Sequence, residues 1–322
     1  MSPRRIACIG AGTVGSAWAV VFARAGFEVA LWDSVPETLE SFALPRVARL
    51  CRTLAEDMPT GEEADTVAAR IRAASSLGDA VAGVEAVQES VREDLEIKRA
   101  VSSEIAQAAP ADALLMSSTS ALPGSKFLAD VPHPERALVA HPVNPPSHIP
   151  LVELCGTGRT GAAELERARQ LFLDARMEPV VLQKEIEGFL LNRLQYTMVA
   201  EAMHLVGEGY CTAEDIDRVL TSGLALRWAS IGPFMTAHLN AREGFRGFVA
   251  QLGPMMKTMG REARTDYDWG PDLAERIHDT VAGMLPVEAI PDAQAWRDGR
   301  ILATRRMQQS DRMPGRRDTD PD

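Results

Sequence analysis

The stretch IACIGAGTVGSAW, residues 6–18, sets Gly10-x-Gly12-x-x-Gly15 between a short apolar run and a longer helix-like one. Each glycine has its own physical task. Gly10 permits a tight turn, Gly12 lets the backbone come close to a pyrophosphate, and Gly15 allows close packing of helix on strand. The helix that follows presents free N–H groups and the positive end of its dipole to the phosphates. Glycine-rich turns are common, so the flanks decide. RIACIG reads as a buried strand, VGSAWAVVFARAG as an apolar helix, and EVALW as the next strand, closed by Asp33 eighteen residues after Gly15. A carboxylate there accepts hydrogen bonds from a ribose 2′-hydroxyl and repels a 2′-phosphate, which favours NAD over NADP. A structural βαβ turn without a ligand stays open from these residues alone.

Outward from this turn, the first half alternates strand-like and helix-like segments. VEAVQ, ALLMSS, ALVAHP, PLVELC and EPVVLQ read as strands, with LEIKRAVSSEIAQAA and AAELERARQLFLDA as helices among them. That order predicts an α/β fold: a Rossmann-type, mostly parallel sheet covered on both faces. After Gln183 the texture changes. EGFLLNRLQYTMVAEAMHLVGEG carries apolar residues around much of a helix, and TAEDIDRVLTSG opens with Thr212 three residues before Asp215, a capping-box pattern. No convincing strand follows. The expected division is an NAD-binding domain over residues 1–186, an all-helical C-terminal domain over 187–307, and a polar, disordered tail over 308–322.

A formal net charge of −11 argues against nucleic acid or an anionic membrane as the main partner. No apolar run approaches the length of a membrane span, and nothing at the start resembles a signal peptide. The four cysteines lack metal-ligand spacing and read as reduced thiols. A cytoplasmic protein is the expectation. The long apolar helix needs cover on more than one side, either from a second copy of the chain or from its own core.

Residues 141–154, HPVNPPSHIPLVEL, are stiffened by four prolines and contain one histidine and one glutamate of interest. His141 lies just past a sheet strand, where open α/β sheets bind ligands. It suits a general base if Glu153 orients the ring. Glu153 sits in an apolar run, where an unpaired carboxylate is costly. The bland reading leaves His141 capping a strand end and Glu153 facing solvent, and these residues alone do not decide.

With GFLLNRLQY following, the chain resembles the 3-hydroxyacyl-CoA dehydrogenase superfamily, and within it the L-gulonate 3-dehydrogenase (lambda-crystallin) branch. The likeness runs from the glycine turn through QKEIEGFLLNRLQY to GLALRWASIGPFMTAHLN. It implies a catalytic His141 paired with Glu153, a hydroxyl-binding Ser120, and Asn192 on the first helix of the second domain. Asn144 falls on the nicotinamide side. Glu93 and Lys98 match positions that contact the cofactor ribose and nearby groups, and Thr13 and Val14 match backbone contacts to the pyrophosphate. Two departures stand out: Ser118 replaces an asparagine, and Ser147-His148 replaces two aromatic-rich positions on the expected substrate side.

The implied chemistry is NAD-dependent oxidation of a secondary alcohol β to a carboxyl group, with no metal. CoA enzymes commonly hold nucleotide phosphates with lysines after the second strand, whereas residues 36–76 contain none. That leans toward a small free hydroxy acid, with Arg227 as candidate for its carboxylate. A structural salt bridge is the alternative for Arg227, as a capping or interhelix role is for Asn192. A CoA thioester substrate and a non-catalytic, crystallin-like role remain the competing readings. A homodimer through the helical domain is expected.

Overall fold

The structure is a computed structural model that describes residues 4–57, 62–267 and 269–310. It divides into two compact units, Met1–Arg193 and Leu194–Asp322. The expected disordered tail lies, from residue 311 onward, outside the described residues.

The first unit is built on one eight-stranded sheet. Its strands are β1 (Arg5–Ile9), β2 (Glu28–Trp32), β3 (Ile71–Ala73), β4 (Ala86–Glu89), β5 (Leu114–Ser117), β6 (Ala137–Pro142), β7 (Leu151–Gly156) and β8 (Glu178–Leu182). Their order is β3-β2-β1-β4-β5-β6-β7-β8. Every neighbouring pair is parallel except β6–β7, which runs antiparallel. The reversal follows from a short proline-rich connection, since a parallel return needs a crossover of a dozen or more residues.

The longest helices flanking this sheet are α1 (Thr13–Arg24), α2 (Leu95–Ala108) and α3 (Ala162–Asp174). Every residue of α1 from Gly15 to Arg24 is buried. Its rings interlock with α3: Trp18 stacks on Phe22 at 5.5 Å and meets Phe172 at 5.4 Å. On the other face Ala7, Ile9, Val87, Leu115 and Val139 join Ile105 of α2 in one core cluster. Each large apolar side chain so buried contributes roughly 1.5–3 kcal/mol. The two-faced burial explains why these strands are apolar without alternation.

From Phe189 onward the described residues form helices and loops. Helix α4 (Phe189–Gly207) begins in the first unit and ends in the second. Thr212 and Asp215 close the expected capping box on the helix Ala213–Val219. The longer helices α5 (Gly244–Glu262), α6 (Pro271–Met284) and α7 (Ile290–Ser310) follow. Among the described residues of the second unit the buried apolar ones are few: Ala200, Ala237, Leu273 and Leu302.

Candidate active site

At the β1–α1 turn the three glycines occupy distinct environments. Gly10 has φ of +92°, and a Cβ there would lie 2.6 Å from the Ser90 carbonyl oxygen. A Cβ on Gly15 would lie 1.8 Å from the Gly10 carbonyl oxygen, so helix and turn touch directly. Gly12 differs: a Cβ there meets nothing within 4 Å, leaving open space over the helix N-terminus. No side chain caps α1, and its first turn holds no acidic residue. Thr13 and Val14 therefore begin the helix with their backbone toward that space. Asp33 accepts from the Ala11 N–H at 2.7 Å and from Val35 N–H at 3.0 Å, which fixes its carboxylate beside the turn. Open space, uncapped N–H groups and an adjacent carboxylate fit a dinucleotide's pyrophosphate and ribose.

The antiparallel pairing of β6 with β7 sets His141 directly opposite Glu153. The His141 Nδ1 lies 2.8 Å from Glu153 Oε2, and both side chains are at least 96 % buried. The second oxygen, Oε1, accepts the Leu190 N–H at 2.9 Å and the Leu191 N–H at 3.1 Å, the opening turn of α4. Those two donors fix the carboxylate against the start of the helix. Phe189 starts the helix at φ +51°, a left-handed backbone that costs about 1–3 kcal/mol in a non-glycine residue. Its ring is fully buried and lies 5.2 Å from the His141 ring. Among the described residues the remaining ring nitrogen, Nε2, meets no hydrogen-bonding partner. A carboxylate on Nδ1 holds its proton there and leaves Nε2 as the acceptor.

Ser120 and Asn192 meet through the backbone: Asn192 Nδ2 donates to the Ser120 carbonyl at 2.7 Å. The turn containing Ser120 is gripped by Glu93, whose Oε1 accepts from the Thr119 hydroxyl at 2.6 Å, Ser120 N–H at 2.9 Å and Ala121 N–H at 3.1 Å. Burial pushes the Glu93 carboxyl up. The Thr119 hydroxyl, the Lys98 charge and the two backbone donors outweigh it and hold Glu93 below the usual carboxylate range. Lys98 is buried, and its Nζ lies 2.9 Å from Glu89 Oε1 and 3.4 Å from Glu93 Oε2. Sequence reasoning did not single out Glu89. Its signal was a carboxylate closing the apolar strand β4.

Ser118, the departure from the family pattern, receives Trp18 Nε1 at 3.0 Å and Gln88 Nε2 at 2.7 Å, which ties α1 to β4 and β5. Ser147 and His148, expected on the substrate side, are both buried. The Arg24 guanidinium at the end of α1 donates to the Ser147 carbonyl at 3.0 Å, and the Ser147 hydroxyl meets His148 Nδ1 at 2.9 Å. These contacts anchor the proline-rich connection. Asn144 is exposed within that connection. Arg227 lies exposed on the short helix Ala225–Trp228 of the second unit, and among the described residues it has no ion-pair partner. All four cysteines are free thiols. Burial, with the Glu185 and Glu153 charges, pushes Cys155 up to about 11, so it stays protonated at neutral pH.

A cavity of about 510 Å³ opens at the far, N-terminal ends of the strands, lined in part by Arg5, Glu28, Arg70 and Arg72. Its arginines already pair with Glu28, Glu62 and Asp79, and it lies away from the His141–Glu153 pair and the glycine turn. Among the described residues no helix is long and apolar enough to cross a membrane, and no three His, Cys, Asp or Glu side chains group as metal ligands.

Two family models match the chain: "3-hydroxyacyl-CoA dehydrogenase, NAD binding domain" over residues 5–186, and "3-hydroxyacyl-CoA dehydrogenase, C-terminal domain" over 188–274. A lambda-crystallin homolog from Bos taurus is 37% identical over 304 residues, 94% of each chain. An L-carnitine dehydrogenase from Streptomyces coelicolor is 35% identical over 93% of each chain. Among solved structures, a 5-formyl-3-hydroxy-2-methylpyridine 4-carboxylic acid 5-dehydrogenase, described as an NAD+ dependent dismutase, superposes with a TM-score of 0.82. It is 27% identical over 96% of this chain and 100% of that one.

Proposed function

Because the chain belongs to the 3-hydroxyacyl-CoA dehydrogenase family, we propose that it oxidises the 3-hydroxyl of a small, free, L-gulonate-like 3-hydroxy acid, with His141 as general base. The cofactor is NAD. The observation that carries the reading is the buried His141–Glu153 pair, anchored on the first turn of α4 and leaving Nε2 without a protein partner.

NAD, when bound, supplies the hydride acceptor. Gly10, Gly12 and Gly15, with the backbone of Thr13 and Val14, would hold its pyrophosphate, and Asp33 would take the adenosine ribose. Glu93, Lys98 and Asn144 belong to the cofactor's other half. His141 Nε2 accepts the hydroxyl proton as the C–H hydride leaves, and Glu153 stabilises the imidazolium that forms. The C3 carbon becomes a ketone, so atoms and charge balance with one proton held on the ring. Ser120 and Asn192 hydrogen-bond the oxygen that changes from hydroxyl to ketone and fix its approach. Arg227 would pair with the substrate carboxylate.

The absence of lysine from residues 36–76 supports a free acid over a CoA thioester. A relative named for L-carnitine, itself a 3-hydroxy acid, points the same way. The second unit supports a homodimer: Phe234, Leu194 and Trp296 are all 70 % or more exposed, in a unit that buries few apolar side chains. The deciding experiment is NADH formation with L-gulonate, 3-hydroxybutyrate, L-carnitine and a 3-hydroxyacyl-CoA. Turnover of a free acid is expected. Activity with the thioester alone sinks the free-acid reading, and none with any of the four revives the non-catalytic one.

A further inference from the structure

Phe189 holds a left-handed backbone, φ +51°, directly after Gly188 at φ +76°. Glycine adopts that conformation freely, whereas a bulky residue is strained there and stays only where its surroundings over-determine it. Core packing is not reason enough, since bulky residues at positive φ are outliers in folded proteins generally.

The neighbours of Phe189 give a reason. Its ring is fully buried in one cluster with Val139, Cys155 and Leu182. Val139 and Cys155 face each other across β6 and β7, two residues along from His141 and Glu153 and so on the same face of the sheet. The ring centroid lies 5.2 Å from that of the His141 imidazole, with the planes tilted by 35°. The next two residues turn their N–H groups on Glu153 Oε1, Leu190 at 2.9 Å and Leu191 at 3.1 Å. On the other side, the Gly188 N–H donates to the Ala121 carbonyl at 3.2 Å. Residues 189–191 thus meet both members of the pair, His141 through a ring and Glu153 through backbone.

The imidazole needs that second contact. A hydrogen bond from Nδ1 to Glu153 fixes one atom of the ring and leaves its plane free to tilt about that bond. Proton transfer depends on where Nε2 points, because reacting groups must meet in aligned geometry. A flat apolar face laid against the imidazole limits the tilt. Phenylalanine also carries no polar tip to compete for Nε2.

We propose that Phe189 is a positioning residue for His141. Its ring sets the plane of the imidazole and so the direction of Nε2, and its left-handed backbone brings ring and following amides onto the same pair. The kinetic part of this inference rests on the proposed role of His141 as base; the orientation of the imidazole does not.

The test is Phe189→Leu, which keeps an apolar side chain in the core and removes the flat face. Measured on the full chain are kcat, KM, NADH affinity, thermal melting and nitrogen NMR of protein labelled at histidine, with His141→Ala assigning the His141 signals. Wild type should show His141 as a single tautomer with its proton on Nδ1. In Phe189→Leu the Nδ1–H signal should broaden or vanish, and kcat should fall by about tenfold to a hundredfold. KM and NADH affinity should stay within about threefold, because the ring binds neither ligand. A variant that melts earlier, yet keeps kcat within about twofold of wild type and an unchanged His141 signal, overturns the proposal and leaves Phe189 as core packing only. So does a loss confined to KM or NADH affinity. If His141→Ala turns over like wild type, His141 is not the base, and the NMR result alone decides the positioning. Should Phe189→Leu not fold, Phe189→Met fills the space with a more adaptable side chain and is read in the same way. Two tautomers of His141 in the wild type overturn the proposal without any variant.

Discussion

At Glu153 the two carboxylate oxygens are divided between two partners, His141 on one and the α4 amides on the other. A glutamine can serve only one of them, because its amide group would face donors on the other side. Glu153→Gln should therefore fold but lower kcat by on the order of 10²–10³, and His141→Ala by up to about 10⁴, with NADH binding nearly intact in both. Turnover within twofold of wild type in either variant would remove that residue from the mechanism. Asp33→Ala should weaken NAD binding and narrow the preference over NADP, measured as the ratio of their kcat/KM values; an unaltered ratio means the ribose contact is elsewhere. Glu93 brings a pH dependence with a defined sign. Its folded value lies below its unfolded one, so its contribution is complete above the ordinary carboxylate range and is lost as pH falls through the lowered value. Denaturation of Glu93→Gln should lose less stability than wild type on that acid limb, and parallel curves would contradict it. The cost of an unpaired carboxylate in an apolar strand suggested a partner for Glu153. The residues alone left its pairing with His141 open, and only the family resemblance chose it. Glu89 and Lys98 were not legible as a unit, since LEIKR reads as a solvated helix face and nothing in it announces burial.

Among the elements, the β1–α1 turn separates two kinds of glycine. Gly15→Ala would drive a Cβ into the Gly10 carbonyl, so the helix must shift and stability should fall by several kcal/mol. Gly12→Ala meets open space and should melt close to wild type, while NADH binds at least about tenfold more weakly because the methyl occupies the ligand's side. Thermal melts and NADH titrations of both variants check this, and equal behaviour would refute the division. Seven of the eight strands could be read from their apolar runs. Strand β3 could not: Ile71–Ala73 is three residues long with only Ile71 buried, too short for any pattern. Nor was the reversal at β7 foreseen. PLVELC is as apolar as its parallel neighbours, and only the brevity of the preceding connection carries the direction.

Taken whole, the molecule is lopsided in how it hides its apolar surface. The first unit closes a complete two-faced core, whereas the second leaves Phe234, Leu194 and Trp296 largely in solvent. Sedimentation at micromolar concentration should show a dimer with a dissociation constant below about 1 μM. A stably folded monomer at that concentration would show that the second unit needs no cover. The sequence could announce an apolar helix but not this deficit, because burial in a helical unit depends on which helices meet. The antiparallel turn between β6 and β7 has a further consequence, in the order of events during folding. His141 and Glu153 are twelve residues apart along the chain. The entropy of closing a loop grows only with the logarithm of its length, and hairpins form in about 1–10 μs. The base and its orienting partner therefore sit on a ribbon able to pair before distant strands arrive. Their register is a local matter, settled without help from the far side of the sheet.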